Sequence, residues 1–284
     1  MNTFQEQVVV ITGSTRGFGY ATAQALLRVG ATVVISGRSR EELERALNGL
    51  RRLGTVDGLL CDVTVAEQVY GLAKKTVEQH GRLDIWINNA GYSWAAGRMI
   101  DFPPEQVQRM FLANDLGTFH GAQAALHYML PRRQGTLVNL YGAGSFLRPA
   151  SPTGPYAASK AWVTSFTRTL ASELKGSGVA LIGFSPGMLL TDMLTHPIVL
   201  GEAGQEIMKN YGFVLRFLAR PSDKAAQKLA QTLASNRKEF IEVRLFKPWT
   251  PYLGLLRVLW ENLTHSGERP EYELQIVEPY EPEF

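Results

Sequence analysis

The sequence predicts an α/β fold, a doubly wound parallel sheet with helices on both faces, and three observations predict it. Short apolar, β-branched runs alternate with helix-length segments, a glycine-rich turn follows the first run directly, and small or polar residues stand where several runs end. The runs at 7–12, 31–36, 56–61, 83–88, 135–140 and 179–184 read as strands. Between them, 20–29, 40–53, 65–80, 104–130 and 155–175 read as helices, and 186–212 as an irregular stretch. Strand, helix and strand repeated in this way require right-handed crossovers, and hence parallel strands covered on both sides. The run at 240–245 supplies a last strand. No repeat or low-complexity linker divides the chain, which predicts one domain over 1–246 and a C-terminal extension over 247–284, an apolar helix and acidic tail packed on that domain or on a partner.

Composition bounds the function. The chain has 284 residues, 45% of them apolar and 19% charged, which suits a large core and excludes disorder or fibre. Its one cysteine, Cys61, excludes an internal disulfide and a cysteine cluster for zinc, and reads as a buried strand residue in a reducing compartment; no metal site is predicted. The first seven residues lack a basic region, and the apolar run at 8–11 is too short for a signal peptide. No stretch reaches the roughly 18 apolar residues of a membrane span. These features predict a cytoplasmic product, with peripheral membrane contact left open. The net charge of +3 conceals an acidic end, since 268–284 holds six Glu against one Arg and leaves the remainder near +8. That density is too dilute for nucleic acid.

The first turn reads Thr12-Gly13-Ser14-Thr15-Arg16-Gly17-Phe18-Gly19 and opens a helix. Gly13, Gly17 and Gly19 let the backbone turn sharply and approach a pyrophosphate, whose charge meets free N–H groups at the helix N-terminus. The spacing departs from G-x-G-x-x-G, but its place between first strand and first helix marks a Rossmann-type nucleotide site. An NAD enzyme would carry an acidic residue at the end of the second strand; here Ser36-Gly37-Arg38-Ser39 stands there. Arg38, helped by Arg16, can meet a 2′-phosphate through charge-assisted hydrogen bonds, which favours NADP(H) over the reading that both arginines are solvated surface charge. Asp62-Val63 and Asn89-Ala90-Gly91 follow the third and fourth strands, where ligands bind in such sheets: an Asp can accept from an adenine amine, and small residues admit a ribose.

Tyr156 and Lys160 lie four apart in Tyr156-Ala157-Ala158-Ser159-Lys160, which stacks a phenol and an ammonium on one helix face. A nearby cation favours the phenolate, so the pair can exchange a proton near neutral pH. A second such pair, Tyr70 and Lys74, exists on the helix before the fourth strand, and context separates the two.

In order, TGSTRGFG, CDV, NNAG, Asn114 in a helix, YAASK and Pro186-Gly187-Met188-Leu189-Leu190-Thr191 cover about 7–193, and the set resembles the short-chain dehydrogenase/reductase family. The resemblance implies hydride exchange between a nicotinamide and a carbonyl or alcohol carbon, with Tyr156 as general acid for reduction. Lys160 would lower the pKa of Tyr156 and hold the ribose, and Asn114 would anchor a water leading from Lys160 to solvent. Pro186, Gly187, Leu189 and Thr191 would fix the carboxamide end through backbone groups, and the glycine turn from Gly13 to Gly19, with Ser39, would hold the phosphates and the adenosine end. It also implies a homodimer or homotetramer through the long helices carrying Asn114 and Tyr156.

One departure stands out. The family usually has a serine where Ala143 stands, in Asn139-Leu140-Tyr141-Gly142-Ala143-Gly144-Ser145, and a methyl group cannot donate a hydrogen bond to the substrate oxygen. Ser145, Tyr141 or backbone N–H groups are the substitutes, with Ser145 placed among the catalytic residues. The same turn, with Arg148-Pro149, Ile85-Trp86-Ile87 before the NNAG segment and Leu189-Leu190-Thr191-Asp192-Met193-Leu194, is similar to chlorophyll b reductases. That similarity implies reduction of the 7-formyl group of a tetrapyrrole. A large apolar pigment suits Tyr92-Ser93-Trp94, the apolar segment 211–218 read as a lid, and the apolar helix candidate 252–260. Two alternatives stay open: reduction of another lipophilic carbonyl, such as an acyl thioester or sterol-like ketone, and a non-catalytic dinucleotide sensor or scaffold.

Overall fold

The computed structural model describes residues 4–147, 150–247, 249–264 and 271–282. Arg148 and Pro149, together with parts of the N-terminus and of the acidic tail, lie outside the described residues. From the amino end, β1 (Val8–Ile11), α1 (Gly17–Arg28), β2 (Thr32–Gly37), α2 (Arg40–Leu50), β3 (Val56–Leu60), α3 (Ala66–His80) and β4 (Ile85–Asn88) alternate. A loop holding β5 (Ala95–Ala96) leads to α4 (Pro104–Phe111) and α5 (Gly117–Arg132), which a π-helical segment, Leu112–Leu116, joins into one long rod. Then come β6 (Gly135–Leu140), α6 (Gly154–Glu173) and β7 (Val179–Ser185). The remainder holds α7 (Asp192–Thr195), β8 (Ile198–Leu200), α8 (Gly201–Met208), α9 (Tyr211–Leu218), α10 (Ser222–Ser235), β9 (Phe240–Arg244), α11 (Thr250–Leu263) and β10 (Gln275–Val277).

Seven strands form one sheet in the order β3-β2-β1-β4-β6-β7-β9, every pair parallel. Side-chain alternation divides its two faces. Val9, Ile11, Val33 and Ile35 turn toward α1, α2 and α10, whereas Val8, Val10, Val34 and Trp86 turn toward α3 and α5. Because both faces are covered, the central strands β1, β2 and β4 are buried along almost their whole lengths, whereas the edge strands β3 and β9 carry Asp57, Glu242 and Arg244. Strand order reverses between β1 and β4, so the crevice above their carboxyl ends is the topological switch point where ligands bind.

A buried polar chain ties this crevice to α6. Trp86 Nε1 donates to Asn88 Oδ1 (2.7 Å), Asn88 Nδ2 to Asn139 Oδ1 (2.9 Å) and Asn139 Nδ2 to Thr167 Oγ1 (2.8 Å). Every link is enclosed, so losing one would leave a buried group unpaired.

The structure differs from the sequence reading in three places. The stretch 186–212, expected to be irregular, contains α7, β8 and α8. A second, parallel sheet of order β10-β8-β5 was not foreseen, because strands of two or three residues carry no readable alternation. Nor was α10, although Ala225, Ala226, Leu229 and Ala230 bury its inner face against α1 at helical spacing.

Candidate active site

The glycine turn is shaped by what surrounds it. Gly13 has φ +59°, and a Cβ there would lie 2.8 Å from Ala90 Cα; one at Gly19 would lie 2.4 Å from Asn89 Nδ2. Asn89 Nδ2 holds the turn by donating to the carbonyls of Thr12 (2.9 Å) and Gly13 (2.8 Å). Gly17, also at φ +59°, faces Thr191, whose methyl would lie 3.5 Å from an added Cβ. The first turn of α1 contains no acidic residue, and Arg16 provides no side-chain cap, so its N–H groups stay free for an anion. The cradle fits a dinucleotide pyrophosphate approached by backbone alone.

Several residues expected at the cofactor serve the frame with their side chains. Ser14 Oγ donates to Ile11 O (2.6 Å) and accepts from Ser36 N (3.0 Å), locking β1 to β2. Phe18 is buried and stacks on Phe184 at 6.1 Å. Val63 is buried in the core, and Ser39 caps α2 by accepting from Glu42 N (3.3 Å). Thr15 packs on Gly37, where a Cβ would lie 2.5 Å from its methyl. For Ser14, Phe18 and Val63 only the backbone is left to face a ligand.

Charged groups collect at the outer end of the crevice. Arg16 reaches Asp192 at 3.3 Å and Glu42 at 3.9 Å, while Arg38 lies 3.9 Å from Asp62. Both guanidiniums are about two-thirds exposed, so these long surface pairs constrain them little and leave them free to meet a phosphate. Asp62 Oδ1 accepts from the Thr64 N–H and hydroxyl at 2.9 and 2.8 Å, which fixes its carboxylate after β3. Opposite, Gly187 has φ +84°, and Leu189 bridges Arg220 with flanking hydrogen bonds of 3.0 Å on both sides. This staple holds the segment from Pro186 to Thr191 beside the glycine turn.

Tyr156, Lys160 and Asn114 come together beside Gly91. A Cβ at Gly91 would lie 3.3 Å from Asn114 Oδ1 and 3.7 Å from Lys160 Nζ. Asn114 sits in the π segment, where its side chain accepts from Tyr92 N (2.6 Å) and donates to Tyr92 O (2.9 Å) and Ser159 Oγ (2.8 Å). With every amide hydrogen used by the protein, the side chain of Asn114 acts as a clamp between the loop after β4 and α6. Lys160 Nζ donates to Leu140 O (3.1 Å) and lies 5.8 Å from the centre of the Tyr156 ring. Burial pulls Lys160 down to about 8, against the opposing charge of Asp115, and pushes Tyr156 up to about 12. The spacing of Tyr156 and Lys160, like the resemblance, leads to the expectation of a lowered tyrosine pKa; here burial of the phenol raises it. Tyr156 holds its proton at neutral pH, the form an acid needs.

The turn before α6 bears on the missing serine. A Cβ at Gly142 would lie 2.6 Å from the Tyr156 hydroxyl, so that position must stay bare. Ser145, expected as the substitute donor, is buried; its Oγ donates to Lys160 O (3.1 Å) and accepts from Gly142 N (3.0 Å). Its one proton is committed to the frame, which corrects that expectation. Tyr141 is likewise buried and donates to Glu242 Oε1 (3.1 Å). Among the described residues, the N–H groups of Ala143 and Gly144 donate to no protein acceptor, and they are the donors this turn still offers.

Tyr156 also packs into an apolar cluster with Phe102, Met110 and Leu200, flanked by Tyr92 and Trp94. Trp94 meets Phe102 edge-on at 5.9 Å, and the second sheet backs the cluster through Ala95 and Leu200. A carbonyl presented to Tyr156 thus has an aromatic wall beside it.

Fold and site together define a Rossmann-like α/β protein with a tyrosine–lysine pair beside its switch point. A family model described as short chain dehydrogenase matches residues 7–197, and the chain belongs to that family. It is 33% identical over 235 residues to the chloroplastic chlorophyll(ide) b reductase NOL of Oryza sativa subsp. japonica, covering 79% of this chain and 66% of the rice protein. An oxidoreductase of Staphylococcus epidermidis is 34% identical over 193 residues, covering 68% of this chain and 82% of that protein. Among solved structures, a Mycobacterium smegmatis short chain dehydrogenase superposes with a TM-score of 0.71 at 27% identity, covering 87% of this chain and 95% of that one. A metagenomic short-chain oxidoreductase in complex with NADP shares the fold, with a TM-score of 0.69 at 24% identity over 85% of this chain and 97% of that one.

Proposed function

We propose that the chain is an NADPH-dependent carbonyl reductase whose substrate is a large lipophilic aldehyde, the 7-formyl group of a chlorophyll b-like tetrapyrrole. The observation that carries this reading is the Tyr156 hydroxyl, set against bare Gly142 at the switch point with the wall of Tyr92, Trp94 and Phe102 beside it. A bound nicotinamide would supply the hydride. Tyr156 gives its proton to the carbonyl oxygen, Lys160 offsets the phenolate that results, and the N–H groups of Ala143 and Gly144 hold the oxygen in place of a serine. Arg16 and Arg38 select the 2′-phosphate. The identity to the rice reductase supports the pigment. NADPH consumption with chlorophyll b and chlorophyllide b, beside a panel of lipophilic aldehydes and ketones, tests the reading. Turnover of the panel without the pigment leaves the broader lipophilic-carbonyl reading; NADPH binding without turnover of any carbonyl leaves the sensor.

Access to such a substrate favours a lipid surface. Helix α11 packs inward through Gly254 and Val258; Glu261 is half-buried and pairs with Arg216 at 3.0 Å and with the exposed Arg257 at 3.6 Å. Its outer face carries Tyr252, Leu256, Leu259, Trp260 and Leu263, each 55–77% exposed. Its exposed cations, Arg257 on the helix and Lys247 just before it over the Trp249 ring at 5.1 Å, suit anionic headgroups. Flotation with phosphatidylglycerol vesicles should carry the protein, and a Leu256→Glu, Trp260→Glu double variant should stay behind. Self-association abolished by the same variant, without vesicle binding, would assign the face to a second copy.

A further inference from the structure

Three aspartates are buried among the described residues, and two have evident partners. Asp84 pairs with Arg82 and Arg132, and Asp101 with Arg98. Asp115 is 1% exposed, and its enclosed Oδ1 accepts no hydrogen bond. It follows Asn114 in the π segment, so the clamp from Asn114 to Ser159 fixes it beside the turn of α6 that carries Lys160. One helical repeat to either side, Phe111 and Phe119 meet Trp162 and Phe166 of α6 edge-on, which closes the seam between the helices. A carboxylate placed there without hydrogen bonds is costly unless a cation compensates it.

We propose that Asp115 is the counter-charge that keeps Lys160 protonated, a positioning residue that acts on Tyr156 through Lys160 and touches neither substrate nor cofactor. The other cations on the surrounding elements are occupied elsewhere. Arg109 of α4 lies over the Tyr92 ring at 5.3 Å, His120 of α5 bonds Val63 O at 3.0 Å, and Arg168 of α6 pairs with Glu242 at 2.8 Å. Lys160 is the charge that acts on Asp115: burial pushes the carboxyl up to about 7, and the ammonium opposes that rise. Reciprocally, Asp115 opposes the fall that burial imposes on Lys160. Lys160 is cationic below its own pKa, so losing the carboxylate lowers that pKa and takes the cation away at a lower pH. The inference rests on the reading of Lys160 as the active-site cation, but its test does not require turnover.

The protein labelled with [13Cε]lysine allows the Lys160 resonance, assigned by its loss in Lys160→Arg, to be titrated by NMR. Asp115→Asn and the space-filling Asp115→Leu should each lower the Lys160 midpoint by about one pH unit, and Asp115→Glu should restore most of it. A midpoint unchanged in both neutral variants overturns the proposal. In the carbonyl assay, the alkaline fall of kcat/KM, expected near pH 8 in the parent, should move down with the midpoint. A shifted midpoint in a protein that turns over no carbonyl would uphold the counter-charge and remove the reductase reading instead.

Discussion

Ser145→Ala separates a structural hydroxyl from a catalytic one. The substitution removes a donor to Lys160 O and an acceptor for Gly142 N, both in a turn that touches the reacting phenol. The carbonyl of Lys160 keeps the Thr164 hydroxyl at 3.0 Å, so only the N–H of Gly142 loses its partner. Because Gly142 is half-buried, leaving its N–H unpaired costs about 1 kcal/mol. In a chain of this size that is a fall in Tm of roughly 2 °C. Since Gly142 lies against the Tyr156 hydroxyl, some loosening reaches the acid, and kcat/KM should drop about threefold to tenfold. Thermal unfolding and steady-state kinetics on one preparation measure both quantities. A loss of about a hundredfold or more in kcat/KM with unchanged Tm would refute this reasoning, because that is the signature of a donor to the transition state.

Tyr156→Phe should bind NADPH normally and lose at least about a hundredfold in kcat, since only the transferable proton is removed; equal activity would dismiss Tyr156 as the acid. Gly142→Ala puts a methyl 2.6 Å from the Tyr156 hydroxyl and 3.0 Å from Lys160 Cγ, so kcat should fall about a hundredfold with a Tm loss of a few degrees. Activity within twofold of the parent would mean that the hydroxyl is placed elsewhere during turnover. Arg38→Asp should weaken NADPH binding by an order of magnitude or more and leave NADH nearly unchanged, read by fluorescence titration; equal shifts would remove Arg38 from the 2′-phosphate.

The sheet was legible in the sequence because burial on both faces leaves an unmistakable pattern. Val8–Ile11 and Ile85–Asn88 are buried along their whole lengths, and apolar runs of that kind between helix-length segments have few other solutions. The glycine turn was legible for a related reason, since positive φ at Gly13 and Gly17 and the close approach of Ala90 and Asn89 at Gly13 and Gly19 exclude larger residues. What escaped lies where structure depends on distant partners. The strands of the second sheet are held by pairing between segments as remote as Ile198 and Gln275, and neither segment carries a periodic signal of its own. Yet that sheet backs the wall beside Tyr156, so the substrate side of the site was the part least visible in advance.

Residue types alone misplaced Ser145 for the same physical reason. A hydroxyl near a reactive tyrosine reads as a donor until its partners are known, and here Lys160 O takes its one proton while Gly142 N donates to its oxygen. The converse holds for Asp115, which a helix pattern places at one more polar position of a long rod. Only the π segment, by locking Asn114 onto Tyr92 and Ser159, sets that carboxyl into the seam against α6. Lys160 therefore works between two demands: burial drives its proton off, and Asp115 holds it on. In the proposed reduction, Tyr156 keeps its own proton until a carbonyl takes it, so the cation would matter most after transfer, when the phenolate must be offset. Loss of Asp115 should accordingly depress kcat above neutral pH more than it weakens NADPH binding, and a KM effect alone would argue that the carboxyl only supports the packing of α5 on α6.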